Sequence, residues 1–362
     1  MYPPTARRAA LPLLALAASL VVALPAPAQA APAGADSVAS ITDGLARRLA
    51  GTLATSATRS RVAAAVTTGP ADLAALSLGE SFAAARAAAN RAVQTAKGLP
   101  LTGDSLLRVR LAHPDMRPAL ATGVTPLVAA TPTDDTDAAL IAYDPAGGQV
   151  RLDTTRVPQR PVLLVEVDVA RAMPIGLRLI EQTLATRHVG TALTGASLNG
   201  GYWATKINAI RLSDDEEPWI KGDAEIYSIV SGFGLDGHPK VDIVQQPYLN
   251  NDGTTYYPNQ LLVHFSAYKY NLADVVMMED DGDTNYLQLA QAIAAALLTI
   301  TDQGMYIPLV NAILNAIPTS WWTDDPDYTE SWYTLATYSS GRLNGASGNG
   351  WMDVAPYWVA PL

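Results

Sequence analysis

The sequence contains no cysteine among its 362 residues. This absence excludes disulfide bonds, thiolate metal sites and a cysteine nucleophile. Phenylalanine occurs only three times, and charged residues make up 16% of the chain, whereas 49% of its residues are hydrophobic. The chain therefore has enough apolar side chains to build a core without covalent cross-links.

Basic residues are scarce beyond residue 200. Residues 201–362 contain six Lys and Arg against 20 Asp and Glu, whereas residues 31–200 contain 16 against 14. All seven Trp and 13 of the 15 Tyr also lie beyond residue 200. The acidic balance argues against a nucleic acid partner, which would repel the chain. The step in composition predicts two domains, residues 31–195 and 196–362.

Long apolar runs are rare, and the most prominent one stands near the start of the sequence. Arg7 and Arg8 precede an uncharged apolar stretch over residues 9–24, and Ala28-Gln29-Ala30 has the small-x-small pattern of a cleavage site. We therefore expect a signal peptide over residues 1–30. The mature protein is then secreted or extracytoplasmic, with no stable membrane insertion after cleavage.

The first half predicts a small α+β module that is rich in alanine. Helical composition alternates there with short segments in which apolar and polar residues alternate. In one of these segments, Arg108 and Arg110 are expected on the same side of a strand. The predicted helices are residues 37–50, 72–97 and 175–188, and the predicted strands are 106–111, 138–143, 149–152 and 161–168, of which the middle two form a hairpin.

The second half predicts an antiparallel β-sandwich of C2-like type with a helical insertion. Strand-like segments are separated there by loops rich in Gly, Asp, Asn and Pro. The whole chain is therefore expected to be of the α+β class. The predicted strands are residues 202–212, 224–230, 241–245, 260–268, 273–278 and 331–338, and the predicted helices are 286–301 and 305–316.

Clustered carboxylates in the loops of the second half predict a calcium site. Ca²⁺ takes six to eight oxygen ligands and tolerates irregular loops. The stretch Val275–Asp283 also resembles the strand and Asp-x-Asp loop of calcium-binding C2 sandwiches. An EF-hand is excluded because Tyr286 stands where that loop needs glycine. The alternative is a solvated acidic surface that binds nothing. The preferred calcium ligands are Asp214, Asp215, Asp223, Asp281 and Asp283.

Most catalytic patterns are missing. The four histidines include no pair at i, i+4 spacing, and there is no Gly-x-Ser-x-Gly elbow. Ser266 and Lys269 match the Ser-x-x-Lys pattern, but they fall in a predicted strand, where residues i and i+3 point to opposite faces. His264 is the best single candidate for a catalytic histidine. Whether the protein is an enzyme is left open by the sequence.

Carboxylates beside aromatic residues suggest an alternative, a secreted hydrolase that acts on glycan or cell-wall material. Two carboxyl groups about 5–9 Å apart can cleave a glycosidic bond. The competing interpretation is that the aromatic side chains fill the sandwich core. The aromatic candidates for sugar stacking are Trp219, Trp321, Trp322, Trp332, Tyr256 and Tyr257.

Several segments of the second half resemble an uncharacterised family of secreted bacterial proteins, the domain-of-unknown-function family thirty-one-oh-three. The resemblance lies in residues 217–227 (EPWIKGDAEIY), 247–249 (PYL), 257–260 (YPNQ) and 279–286 (EDDGDTNY). It implies an exported protein without assigned chemistry, so no catalytic residues are transferred. The leading hypothesis is a calcium-stabilised binding or structural domain, whose partner is an unknown extracellular protein or a glycan.

Overall fold

The computed structural model describes residues 37–132, 139–154, 156–191, 200–214, 220, 224–280, 282–317 and 328–361. These residues contain seven α-helices and fourteen strands in three sheets. The mixed α+β class with a sandwich-like arrangement is confirmed. The predicted signal peptide lies outside the described residues.

The first half builds a six-stranded sheet and five helices. The strands run in the order β1-β2-β6-β3-β4-β5, and β3 and β6 are parallel. The predicted β4–β5 hairpin is confirmed. The elements are α1 (Val38–Thr52), α2 (Ser56–Thr67), β1 (Ala71–Asp72), α3 (Glu80–Ala96), β2 (Leu107–Leu111), α4 (Arg117–Ala121), β3 (Leu127–Ala130), β4 (Ala139–Tyr143), β5 (Gln149–Asp153), β6 (Val162–Val167) and α5 (Val169–Thr186).

The second half forms two four-stranded antiparallel sheets that enclose a common core. The inner sheet has the order β12-β11-β8-β9, and the outer sheet has the order β10-β7-β14-β13. The elements are β7 (Tyr202–Leu212), β8 (Ile226–Phe233), β9 (Pro239–Gln245), β10 (Gln260–His264), β11 (Leu272–Glu279), α6 (Tyr286–Leu297), α7 (Val310–Ala316), β12 (Tyr328–Ala336), β13 (Gly341–Asn344) and β14 (Gly350–Val359).

Several predicted elements differ from the structure at their ends. The predicted helix 175–188 begins earlier, because α5 starts at Val169, and the predicted helix 305–316 begins later, because α7 starts at Val310. The predicted helix over residues 72–97 is wrong at its start, because α3 begins only at Glu80, after Gly79 with φ of +93°. The predicted strand 260–268 ends at His264, and a 3-10 helix over Phe265–Ala267 follows. Ser266 therefore does not lie in a strand. Strand β14 was not predicted, although all of its residues pair with β7.

The largest hydrophobic core contains side chains from both halves of the chain. It combines α1, α3, α5 and β6 of the first half with α6, α7 and one face of the inner sheet. At Gly176 in α5, the ring of Tyr286 lies where a Cβ atom would be, so a larger residue there would displace the ring. The division at residue 195 stays a prediction, although the core that crosses it is continuous.

Candidate functional site

The acidic end of the sandwich is the end at which β7 and β11 finish and β8, β12 and β14 begin. The antiparallel registers place Glu279 opposite Ile226, Met278 opposite Tyr328, and Leu212 opposite Gly350. Acidic sequences flank these strand ends at residues 214–217, 223–225, 279–283 and 324–327. The strand pairing therefore brings the described ends of the first three segments, and the start of β12, to one end of the sandwich.

Only two of the five predicted calcium ligands lie in the described residues. Asp214 follows β7, and its main chain exchanges two hydrogen bonds with the side chain of Asn349. Asp283 follows β11. Asp215, Asp223 and Asp281 lie outside the described residues. Within the part of the chain that the structure describes, no group of three or more His, Asp or Glu could hold a metal ion. The calcium site stays a prediction.

One buried carboxylate at the acidic end is satisfied by the main chain alone. Glu330 is fully buried in β12. Its Oε1 accepts hydrogen bonds from the N–H groups of Ser331 and Ser347, both at 2.8 Å, and its Oε2 accepts one from Gly350 at 2.9 Å. The carboxylate thus anchors the loop between β13 and β14, and these three donors stabilise its negative charge without a metal ion.

A second buried carboxylate at this end pairs with a lysine from the first half. The Nζ of Lys97 lies 3.4 Å from Oδ1 of Asp280, and both side chains are fully buried. Oδ1 also accepts the N–H of Gly282 at 3.1 Å, and Oδ2 accepts the hydroxyl of Tyr286. Burial, and then the Asp280 carboxylate, raise the pKa of Tyr286. The acidic end is therefore held against the end of α3 by a desolvated ion pair.

Arginines of the first half lie beside the same end. The carboxylate of Glu166 in β6 accepts hydrogen bonds from Nε of Arg108 at 2.6 Å and from Nε of Arg110 at 2.7 Å. The guanidinium of Arg110 also donates to the carbonyl of Ile220, a residue between the acidic segments 214–217 and 223–225. These groups and the Lys97–Asp280 pair form what we call the charged junction. Cations of the first half thus contact the acidic end.

A separate cluster surrounds His264 at the edge of the sandwich formed by β9 and β10. The rings of Tyr202 and His264 are stacked with centroids 5.5 Å apart, and the Tyr202 hydroxyl lies 3.4 Å from Nδ1 of the imidazole. Burial raises the pKa of Asp242, and the nearby His264 partly opposes that rise. Burial and the charge of Asp242 raise the pKa of Glu181. An imidazole close to a carboxyl group of raised pKa can support proton transfer.

The aromatic candidates for sugar stacking have different positions. Trp332 is 3% exposed in the sandwich core, and Tyr256 packs half-buried against that core. Tyr257 is 72% exposed. Trp219, Trp321 and Trp322 lie outside the described residues. Trp332 and Tyr256 thus belong to the sandwich core or pack against it. Among the candidates that the structure describes, only Tyr257 is freely exposed.

Part of the charged junction could be predicted from the sequence, but the pairing of its charges could not. The alternation around Arg108 and Arg110 predicted a shared face, and β2 confirms it. Their partner Glu166 interrupts the apolar run of β6, so an isolated acid in a buried strand was a usable signal. Lys97 gave no such signal, because it follows an ordinary Ala-rich helix and its partner is 183 positions away.

The comparisons with known proteins point to one family. No curated protein and no solved structure matches the chain. In the described residues, no helix combines the length and the apolar character needed to cross a membrane. A family model described as a protein of unknown function, DUF3103, matches residues 35–362. Because this match covers nearly the whole chain, the protein belongs to the DUF3103 family.

Proposed function

We propose that the protein is a secreted binding or structural domain in which calcium stabilises the acidic loops of the sandwich. The observation that carries the proposal is the strand pairing, which brings the described ends of three acidic segments to one end of the sandwich. Like charges at that density repel each other unless solvent or a cation screens them. Calcium suits irregular loops that offer carboxylate and carbonyl oxygens.

The described contacts set limits on where the ion would bind. Glu330 is held by three N–H groups, and Asp280 by Lys97 and Tyr286, so these two carboxylates belong to the folded core. The proposed ligands are those of the loops that follow β7 and β11, namely Asp214, Asp215, Asp223, Asp281 and Asp283. Because Asp214 and Asp283 follow strands that end beside the charged junction, an ion bound there would also stiffen the contact between the two halves.

Thermal denaturation of the expected mature protein, residues 31–362, tests the proposal. Saturating calcium at about 100 times its Kd should stabilise the fold by about 2.7 kcal/mol, and EDTA should remove that gain. Asp283→Asn should lose most of the calcium-dependent shift in Tm, whereas Asp302→Asn, distant in sequence and paired with Lys269, serves as the control. Equal midpoints in calcium, magnesium and EDTA would rule the calcium site out.

The alternative hypothesis, a secreted hydrolase of glycan or cell-wall material, is supported by the cluster around His264. Glu181 and Asp242 provide two carboxyl groups of raised pKa, and the Tyr202–His264 pair lies beside Asp242. Release of reducing ends from polysaccharide or peptidoglycan should then fall at least 100-fold in Asp242→Asn at an unchanged Tm. No turnover by the wild-type protein on such substrates would count against this alternative.

A further inference from the structure

The outer face of the outer sheet carries an unusual set of side chains. Alternation along β14 directs Met352 and Val354 into the core, so Trp351, Asp353, Ala355 and Tyr357 share the opposite face. Directly opposite residues on neighbouring strands project to the same side. The same face therefore also carries Arg211, Ala209, Lys206 and Ala204 from β7 and Arg342 from β13.

This outer face is basic in an acidic half of the chain. Residues 201–362 contain only six Lys and Arg, and Lys206, Arg211 and Arg342 are three of them. Asp353 is the carboxylate of the β14 row, and it accepts a hydrogen bond from Asn208 at 3.1 Å. These four charged groups give a net charge of +2, against −14 for the whole of residues 201–362. The concentration of cations on one face points to an anionic partner.

Aromatic rings hold two of these cations in place. The guanidinium carbon of Arg342 lies 3.7 Å from the ring centroid of Trp351, and the Nζ of Lys206 lies 5.7 Å from that of Tyr357. A stacked guanidinium keeps its N–H edges available for a carboxylate or a sulfate, and its planar fork matches both. Arg342 is exposed and Tyr357 is 44% exposed, so ligands can reach both ends of the row.

We use the name trough for the strip of this face that runs along β14 and β7 from Trp351 to Tyr357. Trp351, opposite Arg211, and Tyr357, opposite Ala204, stand at its two ends, and the small side chains of Ala209 and Ala355 lie between them. Six residues of β-strand separate the two aromatic residues, which is about 20 Å. A trough of that length fits an extended chain of several repeating units better than it fits a single small ion.

We propose that the outer face of the outer sheet binds an acidic polysaccharide whose carboxylate or sulfate groups pair with Arg342, Lys206 and Arg211. The charges match, the length suits a chain, and the half-exposed ring of Tyr357 offers an apolar surface to a sugar ring. Asn208 and Asp353 supply hydrogen-bonding groups for hydroxyls in the middle of the trough. The inference rests on the proposed function only in naming a partner for the binding domain, since it uses no residue of the acidic end.

Isothermal titration of the protein with polygalacturonate, dextran sulfate and neutral dextran tests this inference. We expect binding to at least one of the two acidic chains and none to dextran. Arg342→Gln and Lys206→Gln should each weaken binding about 10-fold, and Tyr357→Ala should weaken it as well. Lys269→Gln is the matched control, because Lys269 is an exposed cation that pairs with Asp302 away from the outer face.

Three outcomes would overturn the inference: no binding to either acidic chain, equal loss in the Lys269→Gln control, or equally tight binding to poly-glutamate that Tyr357→Ala leaves unchanged. The last outcome would identify an acidic protein surface as the partner instead. Each titration is run in calcium and in EDTA. Binding that persists in EDTA supports the inference whether or not calcium shifts the Tm, so failure of the calcium site is distinguishable from failure of the trough.

Discussion

The inner and outer sheets share one core but differ in what lies on their second faces. Every residue of β8 is buried, as are seven of the eight in β11, because helices of the largest core pack on the far side of the inner sheet. In β7 and β14 of the outer sheet, buried and partly exposed residues alternate instead. The inner sheet therefore joins the two halves of the chain, and the outer sheet keeps one face partly exposed.

The charges follow the same division. Two carboxylates of the inner sheet and its loops, Glu330 and Asp280, are buried and have their partners within the protein. Charged groups of the outer sheet lie on its partly exposed face, where Arg342 and Lys206 contact aromatic rings. Changes to the first group should thus act on stability, and changes to the second on binding. Four substitutions test this contrast.

The largest effect is expected from Lys97→Met. The substitution leaves Asp280 buried without its cation, and breaking a buried pair in this way costs about 3–5 kcal/mol. Urea denaturation measures the change. The double variant Lys97→Met, Asp280→Asn should recover part of the loss, since it removes the unpaired charge. A single variant as stable as the wild type would show that the pair does not hold the halves together.

A smaller loss is expected from Glu330→Ala. The three N–H groups of Ser331, Ser347 and Gly350 would lose their acceptor, and each unsatisfied buried donor costs about 1–3 kcal/mol before water enters. We expect a net loss of about 2–3 kcal/mol in urea denaturation. Glu330→Gln is the control, because it keeps one acceptor oxygen and should lose less. Equal stability of the alanine variant and the wild type would contradict this role.

A smaller effect is expected from Asp274→Asn, on how the free energy of unfolding depends on pH. Burial raises the pKa of Asp274 in the inner sheet, although the N–H groups of Thr334 and Leu309 partly oppose that rise. A raised folded pKa gives stability that is present below the unfolded pKa, near 3.9, and is lost as pH rises through the folded value. The difference in unfolding free energy between wild type and Asp274→Asn should therefore shift in favour of the variant as pH rises above 4. A difference independent of pH between 3 and 7 would contradict the raised pKa.

The smallest effect on stability is expected on the outer face. Tyr357→Ala removes a half-exposed ring and its contact with Lys206, which is worth about 0.5–1 kcal/mol at an exposed site. The Tm should therefore change by only a few degrees while polysaccharide binding falls. A loss of stability as large as that of Lys97→Met would remove the contrast between the two sheets.

Much of the fold could be predicted from local patterns. The alternation in residues 202–212 predicted β7, and the turn between residues 143 and 149 predicted the β4–β5 hairpin. Missed elements had ambiguous signals, since β14 contains Pro356 and begins at a glycine. The start of α3 was misplaced because an Ala-rich composition does not show at which residue a helix begins. Local preferences thus set element types better than element ends.

The candidate sites could be predicted less well, because they depend on residues distant in the sequence. The acidic clusters were visible, and the strand ends beside them do lie together, but their counter-charges Lys97 and Arg110 come from the other half. The basic outer face was invisible as well, since Arg211, Arg342 and Trp351 are neighbours only through strand register. A count of charges along the chain does not reveal which of them meet.

The sequence by itself determined the composition step, the absence of disulfides, the α+β class and the strands whose alternation marks one buried face. These properties follow from short-range periodicity and from residue counts. Only the tertiary structure decided which carboxylates are buried with partners and which cations share one face of the outer sheet. The physical reason is that burial and charge pairing depend on strand register and layer packing, which join residues up to 183 positions apart.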